Sequence, residues 1–222
     1  MEIIPDVHLV RDSIANAYLI VGDDGLTLVD AGLRGNARSI LQAIRQLGYT
    51  PADLRRIYIT HCDGDHVGGV ALLKTISDAT VYAHPVEALA MSIGSPSREM
   101  DTSSMNGRLF RMFSFIFRCQ PAQTDVLLAQ DKTTDLPGGM QALLTPGHTP
   151  GHVSYFLPSS GVLFGGDSLA VEGGKIHAAH GPATWDQAKA EASARMQATL
   201  GAQVVCLGHG LVTENAISKF QL

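Results

Sequence analysis

Positive charge is in deficit along this chain. Its 16 Lys and Arg residues face 21 Asp and Glu, a formal net charge of −5 at pH 7. That denies it the basic field a nucleic-acid partner needs. Long apolar runs are missing too. No stretch of roughly 18 apolar residues occurs, so neither a spanning helix nor stable membrane insertion is expected. The first residues, Met1-Glu2-Ile3-Ile4-Pro5, lack a basic region followed by an apolar one, so no signal peptide is expected. Cysteine is sparse. The 3 present, Cys62, Cys119 and Cys206, are odd in number and far apart. That suits a reducing cytoplasm better than a disulfide framework. No internal repeat stands out. The remaining composition, 45% hydrophobic and 17% charged over 222 residues, is globular rather than disordered. A single domain, 1–222, of this length buries roughly 70–75% of its unfolded surface.

The chain does have His61-Cys62-Asp63-Gly64-Asp65-His66, four potential metal donors in six residues, just after the apolar run Ile57-Tyr58-Ile59-Thr60. A strand end holds such a cluster rigidly, and His and Asp together suit a borderline divalent cation. Ionisable groups this close repel or desolvate one another, and a bound cation is the simplest compensation. A solvated acidic turn is the alternative for this stretch alone. Three further apolar runs end in glycine-rich turns that carry His or Asp. Ala142-Leu143-Leu144 leads into Thr145-Pro146-Gly147-His148-Thr149-Pro150-Gly151-His152; Val162-Leu163 into Phe164-Gly165-Gly166-Asp167; Val204-Val205-Cys206-Leu207 into Gly208-His209-Gly210. Glycine allows close backbone approach, so each turn can aim a donor at a shared point.

This order of motifs resembles the metallo-β-lactamase-fold hydrolase superfamily, from about Asn16 to His209. Leu28-Val29-Asp30-Ala31-Gly32 resembles that family's supporting Asp turn. The resemblance implies an α/β (α+β) fold, a four-layer αβ/βα sandwich of two mixed β-sheets flanked by helices, with a metal site at one edge. It implies two divalent metal ions, zinc being the most common in the family. His61, Asp63 and His148 would hold the first, and Asp65, His66 and His209 the second, with Asp167 bridging. One departure stands out: Asp63 occupies the place of the family's second His. A carboxylate there hardens the first site and shifts preference toward iron or manganese, although zinc also accepts carboxylate oxygen.

The same resemblance implies hydrolysis, with water activated by the two metals attacking an activated carbonyl. Asp65 would orient that water or pass its proton to the leaving group. Lactones, esters and thioesters lead among the candidate substrates, with β-lactams a further option. The stretch after His209 is too short for the helical thiol-substrate domain of hydroxyacylglutathione hydrolases, which lowers the glutathione-thioester reading. Other readings are a di-iron redox enzyme or sulfur dioxygenase of the same fold, and a non-catalytic metal-binding sensor. The fold hosts many chemistries and does not choose among them.

Periodicity predicts a hairpin from Asn16–Ile20 and Leu26–Asp30 around Gly22-Asp23-Asp24-Gly25. It predicts helices over Arg34–Leu47, His66–Thr75, Pro85–Met91 and Trp185–Leu200. Strands are expected at Thr80–Ala83, Val126–Ala129, Gln141–Thr145, Val153–Leu157, Val162–Phe164 and Gln203–Leu207. A helical insertion near 92–121 concentrates 4 of the 7 phenylalanines, Phe110, Phe113, Phe115 and Phe117. Leu109, Met112, Phe113 and Ile116 share one helical face, and Arg108, Arg111, Phe115 and Arg118 another. It reads as plain packing, as a lid whose Arg108 or Arg111 meets an anionic group, or as the face of a homodimer or a membrane-surface contact. His152 is expected to support a ligand or contact substrate. His177 and His180 are expected in the glycine-rich loop after Asp167, as substrate contacts or exposed histidines. His84 and His8 read as structural or surface groups. The expected partner is a small-molecule substrate.

Overall fold

The computed structural model describes residues 1–11, 14–98, 105 and 119–222. The chain divides into two compact units, Met1–Pro96 with Phe117–Leu128, and Ser97–Ile116 with Ala129–Leu222. The first unit carries a seven-stranded sheet. Its strands are β1 (Glu2–Ile4), β2 (Val7–Arg11), β3 (Asn16–Gly22), β4 (Gly25–Val29), β5 (Leu54–Tyr58), β6 (Thr80–Ala83) and β7 (Val126–Leu127). From β1 to β4 the pairing is antiparallel, and from β4 to β7 it is parallel. The parallel half needs crossovers, supplied by α1 (Ala37–Gln46), α2 (Gly64–Val67), α3 (Val70–Ser77) and α4 (Pro85–Ile93). Helix α1 buries Ile40 and Ile44, four residues apart, into a core with Leu19, Leu26, Leu28, Ile57 and Leu73. Each such side chain contributes roughly 1.5–3 kcal/mol by leaving water.

The second unit carries a six-stranded sheet and a two-stranded hairpin. Its strands are β8 (Lys132–Leu136), β9 (Met140–Leu144), β10 (Val153–Leu157), β11 (Val162–Gly166), β12 (Leu169–Glu172), β13 (Lys175–Ala178), β14 (Val204–Leu207) and β15 (Thr213–Glu214). The large sheet runs β15-β14-β11-β10-β9-β8 and is antiparallel except between β11 and β14. Helix α5 (Gln187–Ala198) provides the β11-to-β14 crossover. The mixed α/β class expected from the sequence, with two large mixed sheets and flanking helices, is the one observed. None of the described helices is long and apolar enough to cross a membrane.

Three expectations change. The helix expected over His66–Thr75 is two helices, α2 and α3, separated at Gly68-Gly69. The backbone of residues 31–34 crosses there. A Cβ on Gly68 would lie 2.4 Å from Arg34 N, and one on Gly69 2.5 Å from Ala31 O. The helix expected from Trp185 starts at Gln187, because the Asp186 carboxylate caps it by accepting from Lys189 N at 3.1 Å. His177 is not in a loop: it lies on β13, opposite Ala170. The turn of that hairpin is Gly173-Gly174, with φ of 56° and 76°, a left-handed pair that favours glycine.

Candidate metal centre

In the first unit the donors follow β5. Tyr58 ends the strand, Ile59 N still bonds to Tyr82 O at 3.0 Å, and the chain then turns through His61–Asp63 into α2. All four donors are buried, His61 and His66 completely. Their positions depend on Asp30, which follows β4 at φ 57°, a strained left-handed value for an L side chain. One Asp30 oxygen accepts from Thr60 N at 2.9 Å; the other accepts from Thr60 Oγ1 at 2.7 Å and from His66 Nδ1 at 2.8 Å. Thr60 Oγ1, having donated its proton, accepts from His61 Nδ1 at 3.0 Å. Both rings therefore carry a proton on Nδ1, which leaves Nε2 as the atom turned toward the neighbouring acids.

Those two Nε2 atoms are the ones that approach the acids. His61 Nε2 lies 3.5 Å from Asp63 Oδ2 and His66 Nε2 4.0 Å from Asp65 Oδ2. The ring centroids of the two histidines are 4.1 Å apart. A carboxylate or hydroxyl that orients one ring nitrogen while the other faces a donor cluster is the arrangement found behind metal-bound histidines. Buried carboxylates beside such rings need positive charge nearby. The donor set fits divalent ions on both counts.

Two residues that the sequence reading missed hold this loop. Glu87, fully buried on α4, accepts from Cys62 N at 3.0 Å. The Cys62 thiol points to Ser95 O at 3.6 Å. Cys62 thus anchors the loop while its neighbours carry the donors. His84 caps α4, its Nδ1 accepting from Val86 N at 3.3 Å, and burial lowers its pKa.

In the second unit the donors come from three separate strand ends. His148 follows β9, Asp167 follows β11 and His209 follows β14. Asp167 Oδ2 lies 3.6 Å from His148 Nε2 and 3.1 Å from His209 Nε2. Gly208 N bonds to Gly166 O at 2.9 Å, which keeps two of these turns side by side. The His148 turn is clipped to the start of α5: Trp185 N donates to His148 O at 3.1 Å and Asp186 N to Gly147 O at 2.9 Å. Gly147 permits this, since a Cβ there would lie 2.3 Å from Ala190 Cα.

His152 is buried and plays a different part. Its Nε2 accepts from Asp167 N at 3.1 Å, and its Nδ1 meets Thr145 Oγ1 at 2.8 Å. Its lone pair is thus engaged by the backbone of the Asp167 turn. Thr145 continues to Ser154 Oγ at 2.9 Å, then Ser168 Oγ at 3.2 Å and Gln197 on α5. His180 Nε2 bonds to Glu172 Oε1 at 2.8 Å on an exposed surface. Burial pushes the Cys206 and Cys119 thiols up, away from thiolate. Arg108 and Arg111, with most of the insertion, lie outside the described residues. Arg98, which the sequence reading did not single out, is buried with Nη2 3.4 Å from His148 Nε2.

The family model described as the metallo-beta-lactamase superfamily matches residues 10–209. A protein of Bacillus subtilis (strain 168) named Uncharacterized protein YobT is 30% identical over 205 residues, which cover 88% of this chain and 82% of that protein. A hydroxyacylglutathione hydrolase of Synechococcus sp. (strain JA-3-3Ab) is 32% identical over 138 residues. That match covers 62% of this chain and 42% of the relative, so the chain spans less than half of that enzyme's length. Among solved structures, a Cronobacter sakazakii metallo-beta-lactamase described by its HARLDQ motif is similar with a TM-score of 0.73 at 26% identity. The similarity covers 95% of this chain and 77% of that one.

Proposed function

The chain belongs to the metallo-beta-lactamase superfamily, and we propose that within it this protein is a metal-dependent hydrolase of lactones, esters or thioesters. The observation that carries the reading is the support behind the first donor set: Asp30 and Thr60 hold Nδ1 of His66 and His61, which turns both Nε2 atoms toward buried carboxylates. The family model runs through both compact units, and we take them as halves of one catalytic domain. The proposed ligand sets are His61, Asp63 and His148 for one ion and Asp65, His66 and His209 for the other, with Asp167 shared. Two bound divalent ions supply a water made acidic near neutral pH and a Lewis acid for the carbonyl oxygen. Asp65, buried at the start of α2, orients the attacking water and carries its proton toward the leaving group. Asp167, anchored through its backbone N–H to His152, would be the donor common to both ions. The name of the Synechococcus relative supports thioesters among the substrates.

Asp63 favours a second reading. A carboxylate in place of an imidazole donor suits iron or manganese, and a pair of irons would turn the same pocket toward redox chemistry. One experiment separates the two. The protein is purified without chelators, its metals are measured per chain, and it is assayed on a lactone, ester, thioester and β-lactam panel. Two zinc or manganese ions with turnover of a carbonyl substrate support the hydrolase. Two irons with a visible absorption band and no hydrolysis overturn it. The three free thiols agree with a cytoplasmic setting.

A further inference from the structure

We propose that Glu87 is a positioning residue for the first of the two ions: by holding the Cys62 peptide it sets the spread of His61 and Asp63, and with it the metal affinity of that set alone. This rests on the ligand sets proposed above. Glu87 lies in the first turn of α4 and is 0% exposed. Taking a carboxyl group out of water is costly unless it meets donors, and acids on helices mostly face solvent. Here one of its oxygens accepts from Cys62 N at 3.0 Å, across 25 positions of sequence. Cys62 is 1% exposed, and its thiol points to Ser95 O at 3.6 Å. Peptide and side chain of Cys62 are thus both held by α4 and the residues just after it.

The donor loop needs such a hold because regular structure stops short of it. Strand β5 ends at Tyr58 and α2 begins at Gly64; residues 61–63 belong to neither a strand nor a helix. No ladder therefore fixes their peptides, and buried N–H groups must find acceptors elsewhere. Two carboxyl groups supply them on alternate residues: Asp30 takes Thr60 N at 2.9 Å, and Glu87 takes Cys62 N. The reach of the two acids differs. Asp30 also accepts from His66 Nδ1 at 2.8 Å, so it bears on both ligand sets. Glu87 grips the one residue between His61 and Asp63, two donors of the first ion. Asp65 and His66, donors of the second, lie on α2, where the helical turn fixes their spacing. A shift of the Cys62 peptide changes the angle between His61 and Asp63 directly, and metal ligands tolerate little such error. The same shift leaves the turn of α2 intact.

The test uses the full-length protein, freed of metal and titrated with cobalt(II) against a competing chelator. Wild type should take up two ions per chain. His209→Ala removes a donor of the second ion only, and His148→Ala a donor of the first only, so each background isolates one set. Adding Glu87→Ala should weaken cobalt binding about tenfold or more in the His209→Ala background, and less than about threefold in the His148→Ala background. Glu87→Gln keeps the reach and an acceptor oxygen and should stay within about threefold of the parent in both. Glu87→Asp keeps the acid but is one methylene too short to meet Cys62 N, and should behave as Glu87→Ala does. An equal loss in both backgrounds marks general loosening and overturns the proposal, as does no loss in the His209→Ala background. If Glu87→Ala fails to fold, the Gln and Asp variants decide: an Asp variant that binds cobalt as its parent does overturns it. If wild type takes up fewer than two cobalt ions, the ligand sets themselves fail and the proposal with them. A two-ion wild type with an indifferent Glu87→Ala overturns the proposal alone.

Discussion

The two donor sets are built in opposite ways. In the first unit all four donors lie between positions 61 and 66, and a single strained carboxylate, Asp30, orients both rings. In the second unit three donors come from three strand ends between positions 148 and 209. They are held by a chain of hydroxyls, an amide and two backbone clips. The first set is buried, whereas the His209 side chain is 45% exposed. A compact motif with one hub fails all at once when the hub is lost. A distributed set with many small supports should lose function in steps.

Removing the shared donor should have the largest effect. Asp167→Ala and His148→Ala should each lower turnover by at least ~1,000-fold, several kcal/mol of transition-state stabilisation, while circular dichroism shows a folded chain. Full activity in either variant would sink the ligand assignment. Next comes the hub. Asp30→Ala leaves Thr60 and His66 without their buried acceptor and should cost about 3–5 kcal/mol in denaturant unfolding. It should also lower metal affinity 10–100-fold. A loss no larger than that of Thr145→Val would erase the contrast drawn above.

Thr145→Val tests the distributed side. It removes one member of the hydroxyl chain behind His152 and should cost about 1–2 kcal/mol, with metal still bound to the first set. The smallest effect is expected at His84, outside both sets. Burial lowers its pKa below the ordinary value of 6.5, so the folded state favours the neutral ring. Its contribution to stability is complete above that value and is lost as pH falls from 6.5 toward the lower folded value. The melting-temperature advantage of wild type over His84→Gln should therefore shrink below about pH 6.5. An advantage that grows on acidification contradicts it.

Much of the first unit could be read from the chain alone. The Gly22–Gly25 hairpin, helix α1 and the motif at 61–66 rest on local spacing and turn chemistry. The need for glycine at 68 and 69 could not be read, because it comes from the backbone of residues 31–34 crossing over them. The β12–β13 hairpin reads as loop in the sequence: its short strands carry little alternation, and only pairing across Gly173-Gly174 defines them. Glu87 gave no functional signal either, since a lone acid on a helix is ordinarily a solvated one. It is buried because Cys62 N, 25 positions away, needs an acceptor.

What the sequence determined by itself is the list of candidate donors and the strand ends that carry them. Apolar runs, glycine turns and clustered His and Asp are local patterns, and local patterns survive without knowledge of the fold. What only the tertiary structure decided is how each donor is held: which ring nitrogen faces its support, what His152 touches, and which cation stands beside His148. Those answers depend on partners far along the chain, Asp30 for His66 at 36 positions and Ala183 for Arg98 at 85. Hydrogen bonds across such separations form only where packing has already closed the loop between them.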